Sequence, residues 1–130
     1  MVPITLPDST LLRMNEALEK QYVSEQRGYI GASAIGSPCD RRIWNQFHWV
    51  DKEKMSAKSL KAIADGHHSE QVMADRLRLV DGIVLHTEKP NGEQFGFQDG
   101  HLRGHLDGII TGLEHSPEPH VWEHKCVNVE

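Results

Sequence analysis

A chain of 130 residues with 38% hydrophobic and 25% charged residues is sized for one core, so 1–130 is read as a single globular domain. No apolar run approaches the ~18 residues of a membrane span, and the opening MVPITLPDST lacks the basic start and apolar stretch of a secretory signal; the expected location is the cytoplasm. The net charge of −5 argues against nucleic acid as partner, since duplex binding usually leaves a basic footprint, but the charge is uneven: residues 1–65 carry 9 Lys/Arg against 8 Asp/Glu while residues 66–130 carry 5 against 11. That imbalance is expected if carboxylates gather at a metal site in the second half and phosphate contacts lie in the first.

In chain order, residues 9–26 begin with a Ser/Thr capping candidate and place Leu11, Leu12, Met14, Leu18 and Tyr22 near one helical face, which predicts a first helix. Gly28 and Gly31 end it. Ser33 to Trp49 read as a turn followed by a second helix, with Pro38 suited to its first turn. Trp44, Phe47 and Trp49 on that helix are read as core, with stacking on unpaired bases as the alternative. A third helix is predicted over roughly Ser56 to Val80, interrupted at Gly66.

From Asp81 the period changes to that of strands. GIVLHTEK, EQFGFQ and HLRGHLDGIITG are separated by the turn signals Pro90-Asn91-Gly92 and Asp99-Gly100, and HVWEHKCVNV alternates as a fourth strand. The expected fold is therefore α+β, with N-terminal helices followed by an antiparallel meander of about four strands. Cys39 and Cys126 are far apart and form no paired motif, so they are expected to be free thiols.

In an extended segment Val121, Glu123, Lys125 and Val127 share one face, and His120, Trp122, His124 and Cys126 the other. Glu123 and Lys125 then point into the same space, where a carboxylate can hold a hard cation and an ammonium can steady charge on a phosphoryl oxygen. Asp107, in the otherwise apolar G-H-L-D-G-I-I, is the best candidate for a second acid, because a carboxylate in such a setting needs compensation. Glu-x-Lys alone is a frequent surface pattern. A zinc site built from His120, His124 and Cys126 fails on geometry, since strand residues four apart are separated by about 13 Å.

The ordered set Gly104-His105-Leu106-Asp107-Gly108 and Val121-Trp122-Glu123-His124-Lys125 resembles motifs II and III of the PD-(D/E)XK nuclease superfamily, in particular its RecB-like and phage exonuclease branches. Upstream, Gly31 to Trp44 is similar to the opening S-x-(I/L)-G-x-C-x-R-(R/K)-x-(W/Y) segment of that branch, and Gly66-His67-His68-Ser69-Glu70 to its helical motif I. The resemblance spans about residues 29–127. It implies a restriction-endonuclease-like core, Mg2+ or Mn2+ as cofactor and DNA as partner. Asp107 and Glu123 would be metal ligands, Lys125 the catalytic lysine, and Glu70, ranked above His67, a third ligand. Ser33, Arg41 and Arg42 would meet substrate phosphate.

Two departures from the family pattern matter. Some relatives hold an iron–sulfur cluster through one early and three late cysteines; Cys39 matches the first, but the late trio is missing, so no cluster is expected within this chain. Relatives also continue past motif III with another helix and strand. The resemblance thus implies a C-terminally truncated domain, or a layer completed by a homodimer or a partner chain. The expected function is a metal-dependent deoxyribonuclease, of phage exonuclease type in recombination or replication. The alternative is a shortened nuclease-fold DNA- or protein-binding module, a regulator or inhibitor without cleavage activity.

Overall fold

The structure is a computed structural model that describes residues 8–50 and 52–127. Among these, three α-helices precede most of the strands: α1 (Ser9–Gln21), α2 (Asp40–Phe47) and α3 (Ala57–Leu77). No helix is long and apolar enough to cross a membrane.

The helix starts follow from local capping. The Asp8 carboxylate accepts from the Thr10 N–H at 2.8 Å, so the cap of α1 is Asp8 rather than Ser9 or Thr10. Ser56 caps α3 through its Oγ, which accepts from the Ser59 N–H at 3.2 Å. Glu19 of α1 reaches the same end, accepting from the Ala57 N–H at 2.8 Å, and Lys61 donates to Asn15 at 3.1 Å. α1 is thereby fastened along the first half of α3. Three expectations are corrected here. α1 stops at Gln21 and not at residue 26. Pro38 precedes the N-cap Cys39 of α2, outside the helix. α3 runs unbroken through Gly66, whose cost of about 1 kcal/mol relative to alanine is carried by the rest of a 21-residue helix.

Among the described residues six strands form two three-stranded sheets. β1 (Ile30–Gly31), β4 (Leu102–His105) and β3 (Gly96–Asp99) lie in the order β1-β4-β3; β2 (Val84–His86), β5 (Gly108–Thr111) and β6 (His120–Trp122) in the order β2-β5-β6. The single antiparallel meander is corrected on two counts. HLRGHLDGIITG is two strands in two sheets, with the change of sheet at Leu106-Asp107, and β1 pairs with β4 in parallel. The turn signals do act where expected. The Lys89 N–H donates to Glu93 O at 2.8 Å around Pro90-Asn91-Gly92, and Asp99 pairs with Leu102 at the β3–β4 hairpin.

The core sits between the second half of α3 and the sheet containing β5. Ala74, Leu85 and Ile110 are buried, with Leu77, Ile83 and Trp122 packed around them. Alanine at position 74 lets the helix approach the sheet closely. Gly108 is required by the same packing, because a Cβ there would lie 2.9 Å from the His86 carbonyl oxygen and 3.2 Å from the Trp122 ring. The expected core role of the α2 aromatics is corrected. Only Phe47 is half-buried, whereas Trp44 is 57% and Trp49 50% exposed.

Candidate functional site

Three elements meet at the end of the β5–β6 pair. Gly108 pairs with Trp122 at the end of the register, and Asp107 and Glu123 are the next residues beyond that pair on the two strands. Beyond Trp122 the chain leaves regular strand, since β5 has turned away at Asp107, but residues 123–125 keep the alternation. The strand expected over 120–129 is thus shortened to His120–Trp122, and Asn128 and Val129 lie outside the described residues.

The alternation separates two functions. Trp122 and His124 face inward, their rings stacked at 6.0 Å, Trp122 on the core and His124 on α3. Glu123 and Lys125 face outward, and the Lys125 ammonium donates to the Glu123 carboxylate. Asp107, half-buried at the corner between the sheets, accepts the His124 backbone N–H at 2.8 Å through Oδ2. Its Oδ1 makes no hydrogen bond among the described residues.

Helix α3 supplies the third side. Its Ser69 Oγ lies 3.0 Å from His124 Nε2, bonding the helix to the strand end. The next residue, Glu70, is half-buried, with the exposed His67 at 3.9 Å. Lys125 experiences all of these acids together. Its pKa is raised, first by the hydrogen bond to Glu123 and then by the Glu123 charge; burial opposes this, and the charges of Asp107 and Glu70 add smaller upward contributions. Glu123 is the direct partner of the ammonium, and Asp107 and Glu70 act on it only through their charge.

Asp107, Glu123 and Lys125 thus lie at one end of the β5–β6 pair, with Glu70 beside Ser69 on the helix bonded to it and His67 next to Glu70. Among the described residues no three His, Cys, Asp or Glu side chains converge tightly enough to enclose a metal ion. The donor set still fits Mg2+ or Mn2+: Mg2+ typically takes one or two carboxylates and completes its shell with water and substrate phosphate, and Mn2+ likewise suits oxygen donors. The remaining predicted residues lie elsewhere. Ser33 sits on the 3-10 turn Ala32–Ala34, and Arg41 and Arg42 in the first turn of α2, all exposed. Ser33 and Arg42 line a cleft that contains none of the four clustered groups.

The Ser69–His124 bond is the part of the site that motif reading passes over. A signal for it exists in the alternation, which places His124 on the apolar side with Trp122, where a ring nitrogen needs a polar partner. No family model, curated protein or solved structure matches this chain.

Proposed function

We propose that the chain carries a divalent-metal-dependent deoxyribonuclease site, with Asp107, Glu123 and Lys125 at its centre and Glu70 beside them. The observation that carries this reading is that His124 ties together the Glu123–Lys125 ion pair, the Asp107 carboxylate through its backbone N–H at 2.8 Å, and helix α3 through its ring and Ser69, the neighbour of Glu70.

Asp107 and Glu123 would hold Mg2+ or Mn2+, with Glu70 as a further oxygen donor; such an ion, when bound, polarises the phosphoryl group and promotes attack by water. The chain's own groups have distinct tasks. Lys125, with its pKa raised, stays protonated through neutral pH, so it serves as a fixed positive charge for the oxygens of the scissile phosphate and not as a base. The His124 N–H fixes Asp107 Oδ2, turning Oδ1 toward solvent and substrate. Ser69 and His124 keep the helix-borne Glu70 in register with the strand-borne pair. Alanine at Asp107 or Lys125 should abolish Mg2+- or Mn2+-dependent DNA degradation without unfolding the protein.

A second reading, a nuclease-fold binding module without cleavage, is favoured by one specific observation: the Lys125 ammonium already occupies the Glu123 carboxylate, and no three-donor group stands ready among the described residues. Titration calorimetry with Mn2+ separates the two. Heat that disappears in Asp107→Ala and Glu123→Gln supports the nuclease, and no heat in the wild type supports the module.

A further inference from the structure

The first half of the chain holds a cleft of about 1340 Å³ between the end of α1, β1 and α2. We infer that this cleft receives an unpaired DNA strand, with the Trp49 indole stacking on a base and Arg42, Lys52 and Lys54 meeting phosphates. The inference rests on the nuclease reading for the nature of the ligand, and on the following geometry for the rest.

Trp49 stands at φ +56°, among the described residues the only non-glycine in the left-handed region, a costly conformation for a bulky residue. Its indole N–H donates to Arg27 O at 2.9 Å, which fixes the ring, yet half its surface stays in solvent and it pairs with no other ring among the described residues. A large flat ring held in place at an open cleft is what sequence-tolerant stacking on a base requires. Tyr29 lines the same wall, with the Arg27 and Arg103 guanidinium groups 5.9 and 5.3 Å from its ring centre.

The charges are arranged to suit an anion. Of the three acids lining the cleft, Glu25 is paired with Arg27 at 3.0 Å and Glu19 is held by the Ala57 N–H, which leaves Glu53 between Lys52 and Lys54. Arg42, Lys52 and Lys54 line the cleft and form no ion pair among the described residues. The cleft is also joined to the carboxylate site through the sheet. Ile30 of β1 pairs with Leu102 of β4, and Asp107 follows five residues later, at most about 17 Å along extended chain.

The test is fluorescence anisotropy with a labelled oligothymidine and a hairpin duplex of equal length, in EDTA so that no strand is cut. The expected result is tighter binding of the single strand. Trp49→Gly is the informative variant, because glycine relieves the left-handed backbone while removing the stacking ring. It should keep the wild-type circular dichroism spectrum and lose about tenfold in single-strand affinity. Lys54→Ala should also weaken binding and flatten its salt dependence. Absence of single-strand binding by the wild type, equal affinity for the duplex, or unchanged affinity in both variants would overturn the inference. Lys125→Ala, assayed for cleavage in parallel, reports separately on the catalytic reading: undiminished cleavage there removes that reading whatever the anisotropy shows.

Discussion

The backbone N–H of His124 and the Asp107 carboxylate are joined at 2.8 Å, so the residue between the two arms of the Glu-x-Lys motif holds the acid of the neighbouring strand end. The His124 ring does a second job by bonding Ser69 of α3 at 3.0 Å. One residue thereby links the three elements that carry Asp107, Glu123, Lys125 and Glu70.

Removing that link should loosen the site more than the molecule. Ser69→Ala and His124→Ala are each expected to cost about 1 kcal/mol in urea unfolding, the usual worth of one partly buried hydrogen bond. Because they break the same bond, the double variant should be less destabilised than the sum of the two. A double-mutant cycle on unfolding midpoints checks this, and strict additivity would mean the bond contributes nothing.

Gly108→Ala tests the close approach beside Asp107. The added Cβ meets the His86 carbonyl oxygen at 2.9 Å and the Leu85 side chain at 3.1 Å, so β2 and β5 must move apart. Thermal denaturation should show a loss of about 1–3 kcal/mol, in the range of overpacked cores. Wild-type stability in this variant would contradict the packing described for the β2–β5–β6 sheet.

The pH dependence follows from the sign of the Lys125 shift. Its folded-state pKa is raised, so its favourable interaction with the carboxylates is complete below the ordinary lysine value of about 10.4 and is lost as pH climbs through the higher folded value. Any Lys125-dependent activity should therefore persist on the alkaline side up to that range. Glu123→Gln removes the first-ranked cause and should lower the Lys125 pKa most, with Asp107→Asn and Glu70→Gln having smaller effects. Titration of the lysine side-chain resonances by NMR measures the order directly.

The parts of this site that sequence reveals are those governed by local periodicity. Glu123 and Lys125 fall on one side because an extended chain alternates whether or not a partner strand is present, and the pair survives although β6 ends at Trp122. The corner at Leu106-Asp107 is hidden, because alternation continues smoothly through HLRGHLDGIITG while the pairing partners change from β3 and β1 to β2 and β6. The parallel β1–β4 pairing joins residues 72 positions apart, Ile30 with Leu102, and nothing in either segment announces the other. Gly66 runs the other way: glycine is a poor helix former, yet α3 continues through it because capping by Ser56 and packing at Ala74 outweigh one glycine.

The most direct test of the central claim is release of acid-soluble nucleotides from labelled DNA with Mg2+ or Mn2+ present, comparing the wild type with folded Asp107→Ala and Lys125→Ala. The account predicts metal-dependent release by the wild type and a loss of at least about a hundredfold in each variant, the scale expected when one electrostatic contributor to a transition state is removed. Equal release by the wild type and either variant would contradict it.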